Sequence, residues 1–257
     1  MPLLLYWRVS QPIRPDLLYA FFAHVVDTRQ YVWAQSDTLG YPVSSWIQGD
    51  VVVQAFGLSI PPDAPPLEYE VKMGMYDLVT GVRLEPSAGD VPLPERAVTS
   101  KPFSVMKAAL VPSIEELEVP RERYANFDDR VMLLGCDLEP VHASAGDAVH
   151  ISLYWQALAE PREDYLVSVL VTDQAGNELH EVLRTPVDGE YPTSLWSEGQ
   201  VVRDRFDLVI DPSIPVGRHR LWARLYDPGA QAYLTLAESE DDRVRVGKVW
   251  VLSESEG

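Results

Sequence analysis

An internal repeat constrains the fold of this chain more than any other feature of its sequence. Residues 41–77 align without a gap on residues 191–227, and 14 of the 37 aligned positions are identical. Upstream of this segment, Leu-Tyr-Trp occurs at 5–7 and again at 153–155. The offset differs slightly between the two matches, which places insertions in loops, where added residues cost little free energy. The repeat therefore predicts two halves that share one fold.

Short runs of alternating apolar residues recur in both copies and are separated by Pro, Gly and Asp. Runs rich in Val, Ile, Tyr and Trp at this spacing are typical of all-β sandwiches. In the second copy, Val149, Ile151, Leu153 and Trp155 alternate with more polar residues, so one face of that strand is predicted to be core. The strands predicted in this copy are 130–137, 148–156, 165–173, 179–184, 201–210, 218–226 and 243–252.

The predicted fold class is all-β, with two tandem immunoglobulin-like antiparallel β-sandwiches of which the first lacks its opening strand. The first copy is assigned to residues 1–112, a linker to residues 113–126, and the second copy to residues 127–257. Within the linker, Ser113 and Glu116 have the spacing of a capping box for a single helical turn.

The missing opening strand follows from a comparison of how the two copies begin. The second copy has about twenty residues, 128–147, ahead of its Leu-Tyr-Trp strand, and the first copy has no counterpart to them. A strand edge left unpaired beside the apolar segment Leu3–Trp7 would invite strand addition. We therefore predict that the chain is the tail of a longer polypeptide and that extending it upstream raises its stability.

Charge and cysteine content exclude several classes of function. The chain has 21 Lys and Arg against 39 Asp and Glu, for a net charge of -18, which would repel nucleic acid at long range. Cys136 is the single cysteine, so an internal disulfide and a multi-cysteine zinc site are excluded, and a small buried residue is predicted there. The sequence contains neither a secretory signal pattern nor an apolar run long enough to cross a membrane.

Catalytic signatures are missing from the sequence. It contains no G-x-S-x-G, no phosphate-binding G-x-x-x-x-G-K and no H-E-x-x-H, so no enzyme activity, catalytic residue, metal or cofactor is predicted. Asp128-Asp129 and Asp241-Asp242 are interpreted as solvated turns rather than calcium ligands. A glycoside hydrolase stays open as an alternative, because it needs only two carboxylates at a defined separation.

The repeated Tyr-Pro and Trp residues, at Tyr41 with Trp46 and at Tyr191 with Trp196, have two interpretations. They form either aromatic platforms for sugar rings or loops pinned to the core by an indole whose N–H finds a backbone acceptor. Their presence in both copies favours the pin, since a shared fold shares its structural contacts.

A cluster of basic residues is specific to the second copy. If strands 201–210 and 218–226 were neighbours, one outward face would combine arginines with a tryptophan, at Arg203, Arg205, Arg220, Trp222 and Arg224. Arginine binds carboxylates and phosphates through two parallel hydrogen bonds, so these five residues are the predicted ligand-binding residues. The alternative is a ladder of cross-strand pairs with Asp207, Glu178 or Glu181.

One known family has a similar pattern. Its elements here are Leu-Tyr-Trp, an Asp that closes a strand, Y-P-x-S-x-W-x-x-G-x-V-V, I-x-P-x-x-P and a strand ending in Tyr-Asp. The chain resembles the tandem soluble β-sandwich tails of multi-spanning bacterial glycosyltransferases of the dolichyl-phosphate-mannose mannosyltransferase-like type, and related envelope proteins. The resemblance covers residues 5–84 and 128–252 and excludes the membrane-embedded catalytic part of those enzymes.

The resemblance implies a non-catalytic accessory or scaffolding module that lies outside the cytoplasm, in the cell envelope, attached to a membrane-bound parent protein. The expected partners are a glycan or an acidic partner domain, with no nucleic acid. A carbohydrate-binding module that uses the Arg and Trp face is the alternative, and a glycoside hydrolase is the second alternative.

Overall fold

The computed structural model describes residues 1–10, 18–88 and 91–253, and in this part the chain is all-β, as predicted. Its contacts divide the chain into two compact units. The first unit comprises Met1–Pro61 and Pro66–Met106, and the second comprises Pro62–Pro65 and Lys107–Gly257.

In its described residues the first unit contains five longer strands and four two-residue strands. In chain order they are β1 (Pro2–Arg8), β2 (Tyr19–Asp27), β3 (Val32–Thr38), β4 (Val51–Gly57), β5 (Glu68–Asp77), β6 (Ser87–Ala88), β7 (Val91–Pro92), β8 (Val98–Thr99) and β9 (Phe103–Ser104). Turns of 3-10 helix lie at Val43–Ser45 and Pro94–Arg96.

Two sheets of the first unit enclose its core. One consists of β1 and β4, and the other has the order β3-β2-β5-β8 with β9 also paired to β5, while β6 and β7 form a separate small hairpin. Trp7 on β1 contacts Phe21 on β2 with ring centroids 5.5 Å apart, and Trp46 stacks on the same Phe21 at 5.8 Å. These aromatic contacts join the two sheets.

The second unit begins with one helical turn, α1 (Ile114–Leu117), and continues as strands. These are β10 (Arg121–Phe127), β11 (Val131–Glu139), β12 (His142–Ser144), β13 (Ala148–Ala157), β14 (Leu166–Thr172), β15 (Glu178–Arg184), β16 (Val201–Val209), β17 (Gly217–Asp227), β18 (Ala232–Tyr233) and β19 (Val244–Leu252). Turns of 3-10 helix lie at Pro186–Gly189 and Thr193–Leu195.

These strands form a four-stranded sheet in the order β10-β11-β13-β16 and a six-stranded sheet in the order β12-β19-β17-β14-β15, with β18 paired to β17. Apart from the parallel pair of β12 and β19, the pairings are antiparallel. The Cys136 thiol on β11 lies 3.0 Å from the Val246 carbonyl oxygen on β19, so the sheets pack against each other as in a β-sandwich. Cys136 is fully buried, as predicted.

The strands predicted in the second copy are all present, displaced by at most two residues at either end. The alternation predicted for β13 is also confirmed, because Val149, Ile151, Leu153 and Trp155 are at most 1% exposed. Tyr154, on the opposite face of β13, is buried as well, since it packs into a small apolar cluster that includes Leu117 of α1.

Residues 113–126, predicted as the linker, contain α1 and most of β10. The predicted capping box is present: the Ser113 hydroxyl accepts from the Glu116 amide, and the Glu116 carboxylate accepts from the Ser113 amide at 2.8 Å. β10 was not predicted, because it is an edge strand whose Arg-Glu-Arg-Tyr start lacks the apolar alternation of a half-buried strand.

Equivalent strands pair in the same way in both units. β1, β2, β3, β4 and β5 correspond to β13, β14, β15, β16 and β17, and the pairings of β1 with β4, β2 with β3, and β2 with β5 are repeated in the second unit. The sequence repeat is therefore a repeat of structure.

The first unit differs at the edge of β1. Strand β13 pairs with β11 on one side and β16 on the other, whereas β1, within the described residues, pairs with β4 alone. Leu4 and Tyr6 on β1 are 53% and 68% exposed. The small β1–β4 sheet thus presents apolar side chains to solvent and, within the described residues, has an edge of β1 with no partner strand.

Candidate functional site

The predicted arginine face is divided between two sheets. Arg203 and Arg205 lie on β16 in the four-stranded sheet, whereas Arg220, Trp222 and Arg224 lie on β17 in the six-stranded sheet. The expectation of one shared face is therefore wrong. The chain crosses from one sheet to the other between β16 and β17, so their outward faces point away from the core on opposite sides of the sandwich.

Arg203 is engaged within the second unit. Its Nε and Nη2 donate to the two carboxylate oxygens of Asp63 at 2.8 and 3.1 Å, and its backbone N–H donates to the Asp63 carbonyl at 2.8 Å. The guanidinium also lies over the Tyr154 ring, 4.8 Å from its centroid. The Asp63 side chain is fully buried, so this bidentate pair fixes the Pro62–Pro65 segment on β16.

Arg224 is held in a cluster of polar side chains on the outer face of the six-stranded sheet. Its side chain is 7% exposed, and its Nη2 lies 3.0 Å from Glu181 Oε1. Nη1 lies 3.5 Å from Glu178 and 3.7 Å from Asp242. The predicted ladder with Glu178 and Glu181 is thus present for this arginine. We call Ser168, Glu178, Glu181, Arg224 and Tyr233 the Arg224 cluster.

Glu181 is the acceptor at the centre of the Arg224 cluster. Its carboxylate accepts hydrogen bonds from the Ser168 hydroxyl and, at 2.5 Å, from the Tyr233 hydroxyl. Partial burial raises the pKa of Glu181, but the hydrogen bonds from Ser168 and Tyr233 and the charge of Arg224 outweigh it, so the pKa is lowered overall. Burial and the bond to Glu181 raise the pKa of Tyr233 to about 12. The cluster therefore keeps an ionised carboxylate beside a protonated phenol.

The polar pair Ser168 and Arg224 of the second unit is replaced by an apolar pair in the first unit. Ser168 and Arg224 face each other across β14 and β17, and Phe22 and Gly74 face each other at the corresponding place on β2 and β5. A Cβ added to Gly74 would lie 2.8 Å from the Phe22 ring, so the aromatic side chain covers the space that Arg224 fills in the second unit. The two units thus carry different chemistry on one framework.

Trp222 is covered rather than open. Its indole N–H donates to Thr172 Oγ1 at 3.0 Å, and the Arg243 guanidinium lies 5.0 Å from its ring centroid. A sugar ring would have to displace Arg243 to stack on that face. Arg220 lies beside Lys248 of β19 in the strand register and has no ion pair in the described part of the chain.

The repeated tryptophans are structural pins, as the favoured interpretation predicts. Trp46 Nε1 donates to the Tyr41 carbonyl oxygen at 3.2 Å, and Trp196 Nε1 donates to the Tyr191 carbonyl oxygen at 3.2 Å. Both indoles are at most 9% exposed. Each holds the loop that leads into β4 or β16 against its core.

Repeated aspartates close equivalent turns. Asp77 and Asp227 each accept from the amides two and three residues further along, at 2.8–3.0 Å. Asp27 and Asp173 accept in the same way from amides two to four residues further along. Hydrogen bonds, chiefly from the Thr80 and Val79 amides, lower the pKa of Asp77. Hydrogen bonds from Asn177 are the chief cause of the lowered pKa of Asp173. These polar residues thus stabilise turns.

Two clefts of the second unit contain basic residues that the sequence patterns did not single out. One has a volume of about 720 Å³ and mixed charge, with Lys107, Arg130 and Arg162 beside Glu160 and Glu198. The other, about 490 Å³, is lined by four cations and no carboxylate, at Arg121, Arg123, Arg245 and Lys248. The signal for the second cleft was the Arg-x-Arg spacing at 121–123, which fell in the predicted linker.

Of the acidic residues considered as calcium ligands, Asp128 and Asp129 lie in a turn, whereas Asp242 lies 3.7 Å from Arg224 Nη1. Asp128 and Asp129 form the turn between β10 and β11, where Asp129 accepts from Asn126 Nδ2 at 2.7 Å. The described residues contain no group of three or more His, Cys, Asp or Glu side chains placed to hold a metal ion. None of the helices in the described residues has the length and apolar character needed to cross a bilayer.

Comparison with known proteins yields no family. No protein-family model matches the chain, and no curated protein matches it. The functional conclusion therefore rests on the geometry of the two units.

Proposed function

We propose that this chain is a non-catalytic accessory module of an envelope protein, positioned outside the cytoplasm and built from two tandem immunoglobulin-like sandwiches. One observation carries the proposal. The polar residues that the two copies share, at Trp46 and Trp196 and at Asp77 and Asp227, bind backbone groups of their own loops. These duplicated residues thus maintain a scaffold.

The Arg224 cluster argues against a glycoside hydrolase at that surface. Such an enzyme needs one carboxylic acid that stays protonated near neutral pH, which requires a raised pKa. The pKa of Glu181 is lowered, because hydrogen bonds and Arg224 stabilise its ionised form against the effect of burial. Glu178 is also paired, with Arg224 and Arg243. This arrangement suits a structural network better than an acid and nucleophile pair.

A carbohydrate-binding module on the Trp222 face is the second candidate, and a half-buried tryptophan beside arginines is the observation that favours it. The scaffold role is preferred because the Trp222 ring is covered by Arg243 and Arg224 is fully engaged. A glycan or an acidic partner domain remains the proposed partner of the module.

Two measurements on the full chain test the proposal. Fractionation of cells that express the native gene should recover the chain outside the cytoplasm, and purified protein should release no chromophore from a panel of nitrophenyl glycosides. Recovery in the cytoplasm, or turnover that Glu181→Gln abolishes, would refute it.

A glycan array separates the second candidate from the first. An accessory scaffold gives no saturable signal, and Trp222→Ala changes nothing. A saturable signal that is lost in both Trp222→Ala and Arg220→Ala would replace the scaffold role with carbohydrate binding.

A further inference from the structure

The all-cationic cleft lies where β10 and β11 of one sheet meet β19 of the other. Four basic side chains line it, with Leu138, Val141 and Gly247 as its apolar part, at Arg121, Arg123, Arg245 and Lys248. Its volume of about 490 Å³ is within the range of small-molecule sites. We call it the β10–β19 groove.

Backbone carbonyl groups hold Arg123 in place without neutralising its charge. Arg123 Nε donates to the Arg245 carbonyl oxygen at 2.7 Å, and its Nη1 donates to the Glu122 carbonyl oxygen at 2.8 Å. Arg121 Nη1 lies 3.5 Å from both the Leu138 carbonyl and the Asp137 carboxylate, and Asp137 is the one carboxylate paired with a groove cation among the described residues. Most of the donors of Arg123 therefore remain available.

The other cations are uncompensated. Arg245 and Lys248 are exposed, and neither has an ion pair or a side-chain hydrogen bond in the described part of the chain. Lys248 also lies opposite Arg220 in the register of β17 and β19. Like charges facing each other across strands are destabilising, and this chain has 39 carboxylates with which it could have paired them. Such a concentration of free cations favours a bound anion.

The size of that anion follows from the charge of the whole protein. A net charge of -18 repels a long polyanion over its whole length. At physiological ionic strength the repulsion is screened beyond about 8 Å, so a compact anion inside the groove is governed by the nearby cations. Arginine forks match the geometry of phosphate and sulfate oxygens. The groove thus suits a small ligand with a phosphate or sulfate oxyanion and disfavours a charged polymer.

The floor of the groove depends on two close approaches. A Cβ on Gly247 would lie 2.2 Å from Leu138 Cδ2, and a Cβ on Gly135 would lie 2.4 Å from the Arg121 carbonyl oxygen. Glycine at these positions lets β19 and β10 approach β11 closely enough to bring Arg121 and Arg245 into one cleft. A bulge in β19 next to Gly247 changes the side-chain alternation at the same place.

We propose that the β10–β19 groove binds a phosphate- or sulfate-bearing group of a compact ligand, through Arg121, Arg123, Arg245 and Lys248. This site goes beyond the accessory role proposed above, and either proposal can fail without the other. The same oxyanion chemistry is offered by a free phosphate ester and by an anionic lipid headgroup.

Isothermal titration calorimetry of the full chain with sodium pyrophosphate tests the groove. Wild-type protein should give saturable heat, and the double variant Arg245→Gln/Lys248→Gln should weaken binding about tenfold or more for each cation removed. The control is Arg8→Gln/Lys101→Gln, which removes the same charge from exposed positions of the first unit and should bind within about twofold of wild type. Thermal unfolding of both variants should match wild type, since the altered side chains are exposed.

Equal weakening in the groove variant and the control variant would overturn the proposal, because general electrostatics would then explain the binding. Absence of saturable binding to wild type up to about 10 mM pyrophosphate would also overturn it. Sedimentation with phosphatidylglycerol vesicles, compared with phosphatidylcholine vesicles, identifies the source. Sedimentation that pyrophosphate reverses supports the groove with a lipid headgroup, and pyrophosphate binding without sedimentation supports it with a free ester.

Discussion

Arg184 on β15 and Asp204 on β16 form an ion pair that crosses the interior of the second unit, with Nη1 and Oδ2 2.6 Å apart. The Asp204 side chain is fully buried, and its other oxygen accepts from the Val187 amide at 2.8 Å. Arg184 also binds Asp188 and lies over the Phe206 ring. The pair therefore connects the two sheets through a fully buried carboxylate.

Removal of one partner of this pair should be far more costly than removal of both. Arg184→Met leaves Asp204 buried and unpaired, and we expect it to lower the free energy of unfolding by about 3–5 kcal/mol. Arg184→Met/Asp204→Leu should recover most of the loss, although the Val187 amide remains without an acceptor. Urea denaturation of the three proteins measures both effects. Equal stability of the single and double variants would contradict this account.

The tryptophan pins should contribute similarly in the two units. Trp46→Phe and Trp196→Phe each lose a hydrogen bond and some buried area, so each should destabilise its unit by about 1–3 kcal/mol. Trp250→Phe is the control, since Trp250 is 39% exposed, and it should change stability by less than about 0.5 kcal/mol. Chemical denaturation followed by far-ultraviolet circular dichroism measures all three. An effect of the control as large as that of the pins would argue against the pinning role.

The Arg224 cluster predicts a loss of stability in acid. Because the pKa of Glu181 is lowered from its ordinary 4.5, the ionised carboxylate stabilises the folded state fully above that value. This contribution disappears as the pH falls through the lowered pKa. Wild type should therefore be more stable than Glu181→Gln near neutral pH, and the difference should shrink below pH 4.5. A difference that is constant between neutral and acidic pH would be inconsistent with the cluster.

Tyr233 predicts a change at the alkaline end. Its pKa is raised from 10.0 to about 12, so the folded protein keeps the phenol protonated where the unfolded chain has lost the proton. The stability that this phenol contributes is present below pH 10.0 and is lost as the pH rises toward about 12. An ultraviolet phenolate titration of wild type minus that of Tyr233→Phe should isolate one late-ionising tyrosine. A difference curve centred at the ordinary value would refute the contact with Glu181.

Gly135 links stability to the β10–β19 groove. Gly135→Ala would place a Cβ against the Arg121 carbonyl and push β10 away, which we expect to cost about 1–3 kcal/mol or more. Pyrophosphate affinity should fall with it, because Arg121 and Arg123 move. Gly57→Ala is the control, since nothing lies within 4 Å of its added Cβ. A stable Gly135→Ala protein with unchanged affinity would show that β10 does not position the groove.

Alternation of apolar residues predicted most of the second unit, because its central strands bury one complete face. It failed at β10, because the charged residues at the start of this edge strand do not alternate with apolar ones. Arg121 and Arg123 were therefore not recognised as residues of a groove. The separation of β16 from β17 was not predictable from periodicity, since the pattern shows which residues face inward but not which sheet a strand joins. For the same reason the pairing of Asp204 with Arg184 was not predictable from the sequence.

The shared pins and turn aspartates have a consequence for how this chain can diversify. Trp46 and Trp196 shape equivalent loops through hydrogen bonds to backbone carbonyl groups of those loops, and the outer faces take no part in these bonds. Where one unit has Phe22 and Gly74, the other has Ser168 and Arg224. The two copies thus share one strand framework while the residues on their outer faces differ. One chain therefore displays two unlike surfaces on a single architectural plan.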